Sequence, residues 1–356
     1  MSKRMLMALA IAAATTFATP VLAQSEAAQA VVEAWIASPH ARADSESFTH
    51  WDEEGEIPEA CATCHSGIGF RDFIGADGSE PGLEHPIPTG SVVDCETCHN
   101  PVAENMSSVT FPSGEMVGEL ESEAICMTCH QGRESTVSVD AAVADMDLDT
   151  VNPELGFINV HYAVAGATQL GSVVHGGYEY AGKTYMGRFE HVPPFSSCIE
   201  CHDPHALTVE VEQCTACHDV SELSAIRTST SDYDADGDTS EGIRAEIAAL
   251  HAMLDEAIRL YSTEVAEAPV VYAPAYPYFF ADSNANGTAD EGEAAFPNRY
   301  QSWTPRLLRA AYNYQFVKQD PGAFAHNPHY AIQILFDSIE SLAEVTSLDM
   351  GGLLRP

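Results

Sequence analysis

The sequence predicts a mainly α-helical and irregular fold with little β structure, and three observations support this prediction. Residues 55–140 are rich in glycine, proline and short polar runs, which is typical of loops joined by short helices. Residues 177–190 alternate aromatic and polar residues around Ala181-Gly182-Lys183, and this pattern predicts one β-hairpin. Beyond about residue 240 the apolar residues recur at helical spacing, so we expect a C-terminal helical region.

One short pattern, Cys-x-x-Cys-His, occurs five times and uses all ten cysteines. It is the attachment signature of c-type haem, in which two thiols form thioethers to the porphyrin and the histidine ligates the iron from one side. Closed four-ligand zinc sites are the alternative, but they do not require a histidine directly after every cysteine pair. The pattern therefore predicts five covalently bound haem c groups. Their binding residues are Cys61, Cys64 and His65; Cys95, Cys98 and His99; Cys126, Cys129 and His130; Cys198, Cys201 and His202; and Cys214, Cys217 and His218.

The second axial ligand of each iron decides what its haem does. A second histidine gives a six-coordinate centre that passes electrons, whereas an open site can bind a substrate. Ten of the 15 histidines lie outside the motifs, so histidine supply forces no site open. Six of them are candidate distal iron ligands because of their aromatic, proline-bracketed or motif-adjacent positions. These are His40, His50, His85, His161, His191 and His205.

His205 follows the proximal His202 by three residues, in Cys-His-Asp-Pro-His. Because Pro204 favours extended backbone at the residue before it, we expect His205 to point away from its own haem and to ligate another. The remaining four histidines are weaker candidates: His251 is expected on the surface of a helix, His329 is expected to be structural, and the other two are His175 and His326.

Helices are predicted at both ends of the chain. Residues 26–37 favour helix by propensity, and Ser38-Pro39 ends it. Near the C-terminus, six apolar residues fall on one face of a helix over about 241–264. They are Ile243, Ile247, Leu250, Leu254, Ile258 and Tyr261.

Two later helices are predicted from their first residues. Thr304-Pro305 and Asn327-Pro328 each place a capping residue before a proline at the first helical position. They predict helices over about 305–318 and 328–345. Residues 140–160 carry no motif and are expected to form a linker.

The first 23 residues have the features of an export signal. Lys3 and Arg4 precede an apolar run, and Val21-Leu22-Ala23 supplies a small-residue cleavage site. The run is short and rich in alanine, which disfavours the alternative of a membrane-anchoring helix, and no later segment predicts a span. Haem c is attached outside the cytoplasm, so we expect a periplasmic or extracellular protein. The predicted organisation is 1–23 signal peptide, 24–225 pentahaem-binding domain and 226–356 helical region.

The net charge of the chain limits the classes of partner that it can bind. It contains 15 basic and 53 acidic residues, a formal net charge of −38, which becomes −40 once Lys3 and Arg4 leave with the signal. Nucleic-acid binders carry basic patches, so such a partner is excluded, as is adsorption to anionic lipid. Redox partner proteins or extracellular electron acceptors are the expected partners, and the acidic surface suits a basic protein or cations.

Two acidic segments are similar to the twelve-residue calcium loop. The first agrees at every ligand position, with candidate calcium ligands Asp282, Asn284, Asn286, Asp290 and Glu293 and glycine at position six. The second begins equally well, with Asp232, Asp234, Asp236 and Gly237. Its twelfth residue is Ile243, however, so the bidentate carboxylate is missing unless Glu241 replaces it. The expected role of Ca²⁺ is structural.

At its haem motifs and at several other stretches the sequence resembles the exported multihaem c-type cytochromes of bacteria and archaea. The stretches are residues 159–162, 189–192, 198–205, 303–308 and 323–327. The resemblance implies a multihaem cytochrome c fold and electron transfer through closely spaced, mostly bis-histidine haems. Some members polymerise into extracellular filaments, which implies by analogy a homopolymer in which His40 is lent to a neighbouring subunit.

The alternative function is a multihaem reductase of a small nitrogen or oxyanion substrate. The nitrite reductases that the chain resembles in haem content carry a Cys-x-x-Cys-Lys site, and this sequence has none. We therefore expect no enzymatic activity and assign no catalytic residue.

Overall fold

The computed structural model describes residues 18–193 and 195–356, with side chains from residue 26 onward. Most of the predicted export signal, residues 1–23, lies outside this range. Within it the structure is mainly helical and irregular, and its only sheets are three antiparallel pairs of short strands, as the sequence predicts. No described helix is both long enough and apolar enough to cross a membrane.

The chain divides into two compact units, of which the first contains residues up to Glu104 together with Ile199–Glu210. Strands β1 (Glu56–Ile57) and β2 (Ile87–Pro88) pair antiparallel, with Ile57 opposite Ile87, and both of these side chains are buried beside Ala62. The elements of this unit are α1 Ala18–Ala37, α2 Glu46–Thr49, β1 Glu56–Ile57, α3 Glu59–His65, α4 Gly67–Phe73, β2 Ile87–Pro88 and α5 Cys95–Cys98.

The second unit contains Asn105–Cys198 and Val211–Pro356. Its core lies between three helices, α10 (Ile243–Glu264), α11 (Pro305–Lys318) and α13 (Pro328–Ala343). All six residues of the predicted apolar stripe on α10 are buried there. Its elements are β3 Val109–Thr110, β4 Met116–Val117, α6 Glu123–Cys129, α7 Thr136–Ala142, α8 Ala165–Leu170, α9 Val211–Thr215, α10 Ile243–Glu264, β5 Val270–Tyr272, β6 Phe279–Ala281, α11 Pro305–Lys318, α12 Ala323–His326 and α13 Pro328–Ala343.

The compact units do not coincide with the predicted boundary between residues 225 and 226. Residues 105–198, which carry the third motif, share a core with the C-terminal helices: Val160 and Leu170 belong to the same buried cluster as Leu254. Burial of apolar surface, rather than the position of the haem motifs along the chain, determines this division.

The predicted helix starts are present in the structure. The Thr304 hydroxyl accepts the backbone N–H of Leu307 at 3.2 Å, and the Asn327 amide oxygen accepts that of Tyr330 at 3.1 Å. Each side chain thus satisfies one N–H that has no partner within its own helix, while the following proline has no N–H to satisfy. Helix α1 ends at Ala37 as predicted but begins at Ala18, earlier than expected.

The predicted hairpin over 177–190 is wrong. A turn does form at Gly182, whose φ of 83° suits glycine, but the flanking segments form no strands. Their backbone groups bond to side chains of α11 and α13 instead: Tyr178 N–H donates to Asn313 at 2.6 Å, and Met186 N–H donates to Gln333 at 2.7 Å. Polar side chains from two helices thus form the hydrogen bonds that the opposite strand would form in a hairpin.

The predicted linker over 140–160 is irregular but packed against α11. The Asn152 N–H donates to the Trp303 carbonyl at 2.9 Å, and the Arg306 N–H donates to the Leu148 carbonyl at 3.0 Å. The Arg306 guanidinium also holds Asp149 through two hydrogen bonds, of 2.7 and 3.1 Å. This segment is therefore part of the folded unit and does not separate two domains.

Asn313, a fully buried residue of α11, fastens the backbone around Tyr178 to that helix. Its side chain has no exposed surface and bonds to both backbone groups of Tyr178 and to the Ser338 hydroxyl. We expect Asn313→Ala to lower the free energy of unfolding by about 2–4 kcal/mol, because it leaves two buried backbone groups without partners. Denaturant unfolding measures the change. The exposed Gln301→Ala is the control, expected to stay within about 0.5 kcal/mol; equal losses in both variants would contradict this role.

Candidate haem sites

The haem motifs sit on single helical turns. In the second, third and fifth motifs the backbone N–H of the histidine donates to the carbonyl of the first cysteine. The distances are 2.8 Å from His99 to Cys95, 2.9 Å from His130 to Cys126 and 2.9 Å from His218 to Cys214. Residues i, i+3 and i+4 of such a turn lie on one face. Two thiols and an imidazole can therefore reach the same macrocycle, so the motif residues fit the haem that the sequence predicts.

No disulfide joins any of the ten cysteines, and each is at least partly exposed. Cysteines spaced as these are, outside the cytoplasm, would otherwise form disulfides. The fourth motif is the least regular: its first three residues form a 3₁₀ turn, and His202 pairs with Val209 in an isolated antiparallel bridge.

The first proximal histidine is held by backbone from the N-terminal segment. His65 Nδ1 lies 2.7 Å from the Ser47 carbonyl oxygen. Since a carbonyl only accepts, this bond places a proton on Nδ1 and leaves Nε2 as the basic ring nitrogen that ligates a metal. Trp51 packs edge-on against the same ring, with centroids 5.2 Å apart. No sequence signal identified Ser47, because the contact uses its backbone.

His205 lies beside His99 of the second motif, within the first unit. The ring centroids are 6.1 Å apart and the ring planes differ by 13°. Metal–imidazole bonds are about 2.0 Å long and each ring centre lies roughly 1 Å behind its nitrogen, so imidazoles on opposite sides of one metal have centres about 6 Å apart. The observed separation fits that arrangement. Offset packing of two rings gives similar distances, and spectroscopy of variants distinguishes the two.

The turn that presents His205 differs from the expected one. We expected extended backbone at Pro204 to orient His205, but the Asp203 side chain does so instead. One of its carboxylate oxygens accepts the N–H groups of His205 and Ala206 at 2.8 and 2.7 Å. These hydrogen bonds hold the pKa of Asp203 below its usual value. A carboxylate that caps its own turn is a common device of aspartate in loops.

A second histidine pair forms in the second unit. His191 and His218, the proximal histidine of the fifth motif, have centroids 6.0 Å apart and planes that differ by 52°. Phe195 packs edge-on against His191 with centroids 6.5 Å apart. The separation again fits two ligands on one iron.

The other candidate distal histidines occupy varied positions. The backbone just ahead of His161 is tied to the third motif's segment, since the Arg133 N–H donates to the Val160 carbonyl at 3.1 Å. His50 Nδ1 lies 2.8 Å from Glu46 and its ring packs on Trp51. His85 is exposed, two residues before β2. His40 lies in a 3₁₀ turn after α1, where burial lowers its pKa. It is therefore more enclosed than we expect for a histidine that ligates a haem of a neighbouring subunit.

The weaker candidates are engaged by the protein. His175 Nδ1 lies 2.8 Å from Glu179, and His326 Nδ1 lies 2.8 Å from Asp320. Burial lowers the pKa of His326, but the Asp320 carboxylate outweighs it, so the pKa is raised overall. The expectation that His251 is a surface residue is wrong. Its ring stacks on Tyr314 with centroids 4.0 Å apart, and its Nε2 lies 2.8 Å from the Tyr314 carbonyl oxygen.

The first calcium-loop segment has the hydrogen bonds of a preformed loop. The two Glu293 oxygens accept the N–H groups of Ser283 and Asp290 at 2.9 and 3.1 Å, which turns the twelfth residue back onto the loop. These bonds and that of the Ser283 hydroxyl lower the pKa of Glu293. Asp282 is buried and accepts the Gly287 N–H at 2.7 Å. The carboxylate and amide side chains of this loop are the donor types that Ca²⁺ takes.

The second acidic segment obtains its missing carboxylate from a residue that sequence reasoning overlooked. Glu246, in the first turn of α10, lies with Asp232 and Asp234, their ligand oxygens within 4.8 Å of one another. It accepts the Tyr233 and Asp234 N–H groups at 2.8 and 3.0 Å and is also ion-paired with Arg227 at 2.6 Å. Glu241 groups similarly with Asp234 and Asp236. Burial and then the neighbouring carboxylates raise the pKa of Glu241.

The signal for Glu246 was present in the sequence. It is an acidic residue in the first turn of the helix that follows the loop, where helix geometry turns its side chain back toward the loop. The twelve-residue template placed the twelfth position at Ile243 and therefore missed it.

No known protein-family profile matches the chain, and no solved structure matches it. Among curated proteins it is similar to the C-type polyheme cytochrome OmcB of Geobacter sulfurreducens, with 27% identity over 355 residues, covering 83% of this chain and 45% of that protein. It is also similar to the C-type polyheme cytochrome OmcC of the same organism, with 26% identity over 358 residues, covering 84% and 44%. The chain thus spans a little under half the length of these relatives.

Burial lowers the pKa of His251 to about 4, whereas an unfolded histidine titrates near 6.5. Between these values the unfolded chain binds more protons, so the stability that neutral His251 contributes is complete above about pH 6.5 and is lost as the pH falls toward 4. Between pH 7.5 and 4.5 we expect the wild type to lose about 2–3 kcal/mol more than His251→Gln does. Denaturant unfolding at both pH values measures this difference. Equal losses in the two proteins would show that His251 does not carry the effect.

Proposed function

We propose that this chain is a pentahaem electron-transfer protein whose haems are mostly bis-histidine ligated. Its similarity to two polyheme c-type cytochromes over more than four fifths of its length supports the proposal. The five Cys-x-x-Cys-His segments would hold five haems through the fifteen residues named above. Each haem, when bound, supplies an iron centre that gains and loses one electron.

The observation that supports this function best is the pair of histidine contacts. His205 would complete the iron held by Cys95, Cys98 and His99. His191 would complete the iron held by Cys214, Cys217 and His218. A second imidazole fills the coordination position that a substrate would need, and this favours a carrier over an enzyme.

Contacts from neighbouring residues hold two of the proposed iron ligands in place. Asp203 fixes the turn that carries His205, and the Ser47 carbonyl orients His65 of the first motif. The Ser47 contact selects the ring nitrogen that would face the metal, and both contacts limit movement of the imidazoles between oxidation states. Little rearrangement on electron transfer is what a relay needs.

The reductase alternative gains no support from the relatives, whose names describe cytochromes alone. It would require one haem with an open or exchangeable axial position. A high-spin haem in the wild-type protein that binds nitrite or hydroxylamine would favour the reductase and count against the carrier.

Location and assembly complete the proposal. We place the protein in the periplasm or outside the cell, where its strongly acidic chain would meet basic redox proteins or extracellular electron acceptors. Assembly into a homopolymer remains part of the proposal, and electron microscopy of the purified protein tests it: monomers alone, with and without Ca²⁺, would count against filaments. The partly enclosed position of His40 makes it a weaker donor to a neighbour than the sequence suggested.

Structural calcium is the second cofactor we propose. The loop from Asp282 to Glu293 would bind Ca²⁺ through carboxylate and amide oxygens, and the cluster of Asp232, Asp234 and Glu246 is the second site. In that cluster burial, and then the neighbouring Glu246 and Asp236 carboxylates, raise the pKa of Asp234. A divalent cation would relieve this repulsion and stabilise the segments around α10.

Replacing a distal histidine should change the spin state of one haem. We expect His205→Ala, and separately His191→Ala, to convert about one of the five haems from low spin to high spin, because each loses a strong axial ligand. Electron paramagnetic resonance and the visible spectrum of the purified protein measure this. His329→Ala, in the first turn of α13 and in neither histidine pair, is the control and should leave all haems low spin.

Two results would contradict the assignments. If His205→Ala or His191→Ala retains the wild-type spectrum, the corresponding contact is ring packing and not ligation. If His329→Ala changes the spectrum equally, the effect arises from general disruption of the fold.

Removing Ca²⁺ should destabilise the protein. We expect a calcium-specific chelator to lower the thermal midpoint by several degrees, since a ligand present at 100 times its Kd stabilises by about 2.7 kcal/mol. Asp282→Asn and Asp232→Asn, one in each proposed site, should each reduce the chelator effect in part, whereas Glu256→Gln, exposed on α10, should not. Identical midpoints with and without Ca²⁺ in the wild type would rule out both sites.

A further inference from the structure

The first cysteines of the third and fourth motifs are neighbours in the second unit. The Cys198 thiol lies 3.8 Å from Glu123 in the first turn of α6, and Cys126 follows one turn later on the same helix. With haem attached, each sulfur is a thioether carried by a separate porphyrin. Two macrocycles are therefore bonded to the protein at adjacent points, although the motifs lie far apart in the sequence.

A buried charge pair lies at the same place. Glu123, in the first turn of α6, is only 6% exposed, and one of its oxygens is 3.8 Å from Cys198 Sγ. Its other oxygen accepts a hydrogen bond from the Arg188 guanidinium at 2.9 Å. This pair places buried charge beside the Cys198 sulfur, and Arg188 also lies 3.7 Å from the exposed Glu190. The electron relay described above assigns the pair no role.

We propose that Glu123, balanced by Arg188, sets the reduction potentials of the haems that Cys126 and Cys198 hold. The inference rests on the proposed function. A carboxylate near a haem favours the oxidised iron, which carries one more positive charge, and so lowers the reduction potential; a guanidinium opposes this. Because Glu123 is buried, solvent and salt screen its charge far less than they screen the many exposed acids of the chain.

A purely structural role is the competing explanation. An acidic side chain in the first turn of a helix stabilises that helix through its dipole, and an ion pair to Arg188 can anchor the segment before His191. Such a role predicts a change in stability or in haem incorporation but no change in potential. The measured quantity must therefore be the reduction potential of correctly assembled protein.

The experiment is spectroelectrochemical titration of Glu123→Gln, with haem content first established by mass. We expect one or two of the five midpoint potentials to rise by about 59 mV, which corresponds to a tenfold change in a one-electron equilibrium constant. Arg188→Gln should move the same midpoints down, because it leaves the carboxylate unbalanced. Glu121→Gln is the matched control, since it makes the same chemical change two residues away at an exposed position and should shift nothing.

Midpoints of Glu123→Gln that equal those of Glu121→Gln would overturn the proposal. If Glu123→Gln does not assemble with five haems, Arg188→Gln decides, and unchanged midpoints in that variant overturn it. A wild-type protein without covalent haem would instead refute the proposed function, and the mass measurement reveals this before any potential is measured.

Discussion

The constraint on which much of this structure depends is that two thiols and one imidazole must reach the same macrocycle. One helical turn meets it, and the hydrogen bonds from His99, His130 and His218 back to the first cysteine of each motif close that turn. Short helices are enough for this purpose. Long helices and sheets are consequently absent from much of the described motif-bearing part of the chain, where α3, α5, α6 and α9 are at most seven residues long.

The second unit is stabilised by a conventional helical core. Helices α10, α11 and α13 bury their apolar faces together, and buried polar side chains such as Asn313 fasten the irregular segment 177–190 to them. This explains why an alternating sequence does not become a hairpin. The backbone groups that a hairpin would pair are already bonded to helix side chains, so the segment gains nothing from forming a ladder.

Charge acts at two levels. The large excess of acidic residues disfavours compaction through mutual repulsion, and the clusters around Asp234 and Asp282 concentrate it locally. Buried pairs do the opposite: Glu123 with Arg188 and Glu246 with Arg227 bring one of the few basic side chains to an enclosed carboxylate. Each buried carboxylate must be compensated by a basic partner or by a bound ion. Because the chain has few basic side chains, their positions indicate which carboxylates are compensated by an ion pair.

The sequence by itself determined the elements whose causes are local. The haem motifs follow from spacing within five residues, the starts of α11 and α13 from a capping residue before proline, and α10 from the period of its apolar residues. The tertiary structure alone decided which distant residues meet. His205 beside His99, His191 beside His218, Glu246 at the second acidic loop, and residues 105–198 in the C-terminal core all depend on packing between segments far apart in the chain. A local pattern gives no information on such contacts, because the free energy that creates them comes from surface buried between segments and not from either segment alone.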